Sequence, residues 1–177
     1  MRRVLVSLFL ILMGGLSASC STETPPETKP MRTVTYEHEI PVSVSAAWAV
    51  FSDFAAFAEW NAMPVQLQIA GDGVGMTRTM DIDGIGRISE RLDKLDAANM
   101  QLAYTLVEGT PLGMVEYHAE VALSAAGDGR TLISWHGEFD GAPGADLDEM
   151  AANLTGSYQG MSQALGSYVA QAQSGAQ

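Results

Sequence analysis

Met76-Thr77-Arg78-Thr79-Met80-Asp81-Ile82, then Asp83-Gly84-Ile85-Gly86, then Arg87-Ile88-Ser89-Glu90-Arg91-Leu92 is the stretch on which the fold turns. Side chains two apart on a strand share a face. Met76, Arg78, Met80 and Ile82 make one such set, and Ile88, Glu90 and Leu92 the matching one. Thr77, Thr79 and Asp81, with Arg87, Ser89 and Arg91, fall on the other side. Residues 74–96 therefore read as a β-hairpin with one apolar face, broken only by Arg78 and Glu90. Charges almost never go inside unless paired or put to use. A turn of Asp83-Gly84-Ile85 makes the two residues cross-strand partners. It also sets Asp81 against Arg87 and Thr79 against Ser89 on the outer face. A tight two-residue turn is the alternative, and a register slip of one residue would put both charges outside.

Working outward, Val34, Tyr36, His38 and Ile40 alternate with Thr33, Thr35, Glu37 and Glu39, which predicts a half-buried strand ended by Pro41. Ser45 is placed to cap a short helix carrying Trp48, Val50 and Phe51. Asp53 is placed to cap a second, with Phe54, Phe57 and Trp60 on one side and Pro64 as its stop. Val65, Leu67 and Ile69 alternate with Gln66 and Gln68, and Asp72-Gly73 is a hairpin signal. Met100 to Glu108, Met114 to Ser124 and Thr131 to Asp140 read as three more strands. Gly109 to Gly113 and Gly127-Asp128-Gly129 connect them.

After Asp140 the period changes. Leu147, Met150, Leu154, Tyr158, Met161, Leu165, Tyr168 and Val169 form the apolar stripe of a long helix. Gly156, Gly160 and Gly166 project off that stripe and are assigned to no pocket. Short connections predict an antiparallel sheet. The fold class is α+β: a curved antiparallel seven-stranded sheet, two short helices after strand 1, and a long C-terminal helix covering the apolar face. A curved sheet holding a helix leaves a cavity between them.

The N-terminus belongs to targeting rather than to the fold. Arg2 and Arg3, the apolar run Val4 to Met13 and small residues up to Ser19 read as a signal peptide over 1–19. The apolar run is short for a transmembrane helix. Cys20 is the only cysteine, so no intramolecular disulfide forms. Its position resembles the lipidation site of a bacterial lipoprotein, although Ser17 stands where such sites usually carry Leu. Ser21 resembles outer-membrane sorting. Cleavage after Ser19 without acylation is the other reading and leaves a soluble periplasmic or secreted protein. Residues 20–32, with Pro25, Pro26 and Pro30, read as a tether, 33–173 as one domain and 174–177 as a tail. Lys and Arg total 9 against 21 Asp and Glu, a net charge of −12, and loss of Arg2 and Arg3 makes the mature chain more acidic. Nucleic acid is excluded as a partner. Membrane contact is expected through the N-terminal lipid alone, and the chain is expected to be a monomer.

Several aromatic residues fall on the apolar faces. Tyr104, Tyr117, Trp135 and Phe139 are assigned to core or cavity wall, with Tyr158 on the helix stripe and Trp60 and Met114 at the cavity mouth. Arg78 and Glu90 are either a buried structural ion pair or the anchor for a ligand's carboxylate, carbonyl or hydroxyl. A three-residue turn at 127–129 pairs Glu120 with His136 and His118 with Glu138 as an outer charge ladder. His38 reads as a core histidine or a pocket acid/base. The spacing of histidines holds no metal motif, and no phosphate loop or nucleophile elbow occurs. No cofactor or metal is expected.

Element order and residues together resemble the START and polyketide cyclase/dehydrase (SRPBCC, birch pollen allergen-like) superfamily, with its helix-grip fold. The most specific piece is Glu90-Arg91-Leu92-Asp93-Lys94-Leu95-Asp96 with Tyr104, Glu108-Gly109 and Tyr117; Trp60-Asn61 is similar to the bacterial branch. The resemblance implies the fold, and implies that Asp83 to Gly86 and Gly109 to Gly113 lie where relatives carry mobile loops over a ligand. The abscisic acid receptors' gate and latch residues are not present in full. One fold here serves receptors, lipid carriers and cyclases. The expectation is a periplasmic binding protein for a small hydrophobic or amphipathic molecule such as a lipid or polyketide. The alternatives are a cyclase/dehydratase-like enzyme using Arg78, Glu90 and a Tyr, and an accessory protein whose acidic face binds a protein.

Overall fold

The computed structural model describes residues 31–175. The segment expected to be a signal peptide, Cys20 and nearly all of the expected tether lie outside the described residues. The chain runs β1 (Arg32–Ile40), α1 (Val44–Phe51), a 3₁₀ turn (Phe54–Ala56) and α2 (Phe57–Trp60). It continues through β2 (Val65–Ala70), β3 (Thr77–Ile82), β4 (Gly86–Asp96), β5 (Gln101–Glu108), β6 (Met114–Gly127), β7 (Arg130–Gly141) and α3 (Leu147–Gly175). The seven strands form one sheet in the order β1-β7-β6-β5-β4-β3-β2, antiparallel throughout. β1 begins inside the segment expected to be tether, and α3 runs into the expected tail.

Local chemistry explains the boundaries. Ser43, not Ser45, caps α1: its hydroxyl accepts from Ala46 N at 3.4 Å, so the helix starts earlier than expected. Asp53 caps the 3₁₀ turn by accepting from Ala55 N at 3.0 Å. Asp146 does the same for α3, accepting from the backbone of Asp148 and Glu149 at 3.1 Å each. Those caps satisfy N–H groups that a helix start would leave unpaired. The β3–β4 hairpin has the wider turn. Ile82 pairs with Gly86, Asp81 with Arg87, Thr79 with Ser89 and Arg78 with Glu90.

The apolar inner face of the sheet packs on the stripe of α3. Leu102, Ala119, Val121, Ile133 and Phe139 are buried from the sheet, and Leu154, Tyr158, Leu165 and Val169 from the helix. Each large side chain so buried stabilises the fold by about 1.5–3 kcal/mol. The helix packs most heavily on the edge strand β1. Gly166 makes that approach close, since a Cβ there would stand 2.9 Å from Ile40 Cγ2. With α3 drawn to β1, space remains on the side of β3, β4 and β5.

This seam is testable. Gly→Ala inside a helix ordinarily stabilises by about 1 kcal/mol. Gly166→Ala is expected instead to destabilise by about 1–3 kcal/mol through overpacking on Ile40. Urea denaturation measures this, and a gain in stability would contradict the close seam.

Candidate functional site

That space is a cavity of about 540 Å³. Met80, Ile82 and Ile88 form its floor from the hairpin, and Leu154 and Met161 its helical wall. Ile85 from the β3–β4 turn and Pro111 and Leu112 from the β5–β6 connection stand at its rim. The β5–β6 connection starts tight against β4: a Cβ on Gly109 would lie 2.5 Å from the carbonyl oxygen of Arg87. Leu112 holds a left-handed backbone, φ 54°, a costly conformation for a branched side chain. A second concavity of about 480 Å³ crosses the outer face of the sheet and is walled by Glu37, Lys94, Glu120 and His136. It lies on the side of the sheet away from α3.

One ion pair faces the inner cavity. Arg78 Nε and Nη2 each lie 2.8 Å from the same oxygen, Glu90 Oε2, and both residues are 6% exposed. Arg78 Nη1 reaches the carbonyl oxygen of Phe54 at 3.5 Å. The guanidinium carbon sits 3.9 Å from the Phe54 ring centre and 4.3 Å from that of Phe57. Aromatic faces favour a cation and replace part of its lost hydration. Glu90 stands where β5 bulges: Ser89 pairs with Glu108 and Glu90 with Leu106, leaving Val107 unpaired with β4. A bulge bends its strand and re-aims neighbouring side chains.

A row of tyrosines lies next to the pair. Tyr104 OH is 3.3 Å from Tyr117 OH, which is 2.9 Å from Tyr158 OH. Tyr158 stacks on Trp135 with ring centres 4.7 Å apart, and Trp135 Nε1 donates to Ser162 Oγ at 2.9 Å. Gly137 makes room for this, because a Cβ there would fall 2.0 Å from Tyr158 OH. Burial pushes the Tyr104 phenol well above its ordinary range, and the charge of Glu90 adds to the rise. Burial also raises Tyr117, reinforced by the two neighbouring tyrosines, and raises Tyr158. All three therefore stay protonated near neutral pH and act as neutral hydrogen-bond donors and acceptors.

A model of the polyketide cyclase/dehydrase and lipid transport family matches residues 31–170. The chain belongs to that family. A search of curated proteins returns no match. Among solved structures, protein XoxI from Bacillus cereus superposes with a TM-score of 0.69 at 20% identity, covering 81% of this chain and 99% of that one. A point mutant of norcoclaurine synthase from Thalictrum flavum, in complex with a transition-state analogue, gives 0.64 at 20% identity, over 81% and 96%. The Zhui aromatase/cyclase from Streptomyces sp. R1128 gives 0.62 at 21%, over 81% and 94%. At these identities the likeness is one of fold. It agrees with the helix-grip architecture of curved sheet and long terminal helix.

Within this polyketide cyclase/dehydrase-type cavity, the structure brings Arg78, Glu90, Tyr104, Tyr117 and Met114 to the wall. Four other residues read from the sequence as cavity residues lie behind it. Trp60 turns into an aromatic cluster with Phe51 and Phe57, and its Nε1 has no hydrogen-bond partner among the described residues. Trp135 and Phe139 lie on β7 and are buried. Tyr158 is fully buried, stacks on Trp135, and reaches the wall only through the Tyr117 hydroxyl. Conversely, Gly156, Gly160, Asn153 and Ser157 border the cavity, as do Asn61 and Met63 after α2. The glycines correct the sequence reading that gave them no pocket. The stripe of α3 packs on the sheet, and the cavity opens along its flank. A Cβ on either Gly156 or Gly160 would meet nothing within 4 Å.

The histidines lie apart from the cavity. His118 pairs with Glu138 and His136 with Glu120 across the strands. The ionic approaches go elsewhere: His118 lies 3.9 Å from Asp93 and 4.0 Å from Glu120, and His136 lies 3.6 Å from Glu138. Thr105 Oγ1 donates to Asp93 and lies 3.0 Å from His118 Nδ1. Burial works to raise Asp93, but the Thr105 and Arg91 hydrogen bonds outweigh it and hold the carboxyl below its ordinary value. His38 is half-buried, stacks on Tyr36, and forms no part of the cavity wall.

The Arg78–Glu90 pair should behave as a buried unit. Arg78→Met or Glu90→Leu alone strands a charge and is expected to cost about 3–5 kcal/mol. The double substitution should cost far less than the sum. Denaturant titration of all four proteins checks this; additive losses would contradict the pairing.

Proposed function

We propose that this protein binds a small hydrophobic or amphipathic molecule in the inner cavity, with the polar end of that molecule against Arg78, Glu90 and Tyr104. The observation that carries this reading is an apolar cavity of about 540 Å³ with one ion pair in its wall. Ligand pockets commonly have that size and that sparse, convergent polarity. The helix supports the same reading. Gly156 and Gly160 stand exposed at the border of the cavity and each costs α3 about 1 kcal/mol against Ala, so that border is left free of side chains at the expense of helix stability.

Binding is favoured over catalysis by how the polar groups are tied. Arg78 and Glu90 are engaged with each other, and the tyrosines are held as neutral phenols. The sequence before Cys20 supports export, with acylation at Cys20 and a tether holding the domain at the periplasmic face of an outer membrane.

Filling the cavity from the helix tests the assignment without touching the ion pair. Wild type should bind the neutral dye N-phenyl-1-naphthylamine. Gly160→Phe should bind it at least about tenfold more weakly, with an unchanged or higher melting temperature. Equal binding by the two proteins would show that the dye, and the function argued from it, lies elsewhere.

A further inference from the structure

We propose that the cavity selects a neutral hydroxyl group for the polar end of its ligand and discriminates against carboxylates, ammonium groups and ethers. The inference rests on the binding function above and names its chemistry. Arg78 and Glu90 carry opposite charges, joined through Glu90 Oε2 at 2.8 Å. Together they present no net charge to the cavity. A ligand carboxylate would gain Arg78 but meet Glu90, and an ammonium would gain Glu90 but meet Arg78. Either ion would also lose its hydration on entering an apolar space.

The pair nevertheless leaves one strong group free. No described residue donates a hydrogen bond to Glu90 Oε1, and Glu90 lines the cavity. A carboxylate oxygen accepts charge-assisted hydrogen bonds that are about twice as strong as neutral ones. The ligand must therefore bring a donor. The tyrosine row supplies the complement. Tyr104, Tyr117 and Tyr158 carry one proton each and make two hydrogen bonds among themselves, so one proton is left over, on the residue set by the direction of those bonds. Tyr158 is fully buried, whereas Tyr104 lines the cavity. Running from Tyr158 to Tyr104, the row presents that proton to the ligand. A hydroxyl meets both demands, donating to Glu90 Oε1 and accepting from Tyr104. An ether or carbonyl meets only the second.

A matched series of ten-carbon probes tests this on the wild-type domain: 1-decanol, decanoate, decylammonium and decyl methyl ether, each displacing N-phenyl-1-naphthylamine. At about pH 7.5 the carboxylate and the ammonium are both charged. Decanol should displace the dye at roughly tenfold lower concentration than each of the others, the worth of about one hydrogen bond. If all four displace it equally, or decanoate does so best, the hydroxyl selection is wrong while the binding function stands. If neither dye nor probe binds, the binding function fails and the selection with it.

Discussion

The register of the β3–β4 hairpin governs the rest of the structure. Side chains on a strand alternate with a period of two, so a slip of one residue exchanges its faces. With Ile82 opposite Gly86, Met80, Ile82, Ile88 and Leu92 go inward and Asp81, Arg87 and Arg91 outward. The same register commits Arg78 and Glu90 to the interior. Their mutual contact and the Phe54 and Phe57 rings offset the burial of two charges. A position that would otherwise be a packing fault thereby becomes the polar end of a cavity.

The second constraint is the seat of α3. A helix lying centrally on the sheet would fill the concave face. Gly166 lets α3 settle against Ile40 on β1, and the opposite flank of the helix, with Gly156 and Gly160, borders open space. Stability and cavity are thus distributed along one helix: a tight seam at one glycine, and helix propensity given up at two others. Tyr158 links the regions, because its ring is part of the packed core and its hydroxyl ends a row that leads to Tyr104.

Most of the fold was legible because its signals are local. Alternation marked the strands, Gly-containing turns fixed their order, and the long apolar stripe marked α3. Even a wrong detail gave the right pairing between β6 and β7. The connection is shorter than a three-residue turn, with Gly127 paired to Arg130, but a register shift between Ala125 and Gly127 restores Glu120 opposite His136. The site was legible in part. Alternation tells which side chains face inward, and so found Arg78, Glu90, Tyr104 and Tyr117. It does not tell which inward residues the helix covers, and so Trp135 and Phe139 were grouped with Tyr117. Helical projection likewise identified the face of α3 that packs. Its lateral offset toward β1 is a tertiary property, and the role of Gly156 and Gly160 followed from that offset.

The central claim is that a bound molecule meets the buried ion pair, and the Arg78 side chain reports on it directly. Its Nε–H donates to Glu90 in a site almost closed to water, so its proton should exchange slowly and give a resolved NMR signal. Saturation with 1-decanol should move that signal together with resonances from the cavity rim, such as the Leu112 methyls. Rim resonances that shift while Arg78 Nε–H stays in place would mean that the ligand enters the cavity without engaging the pair, and would contradict the account.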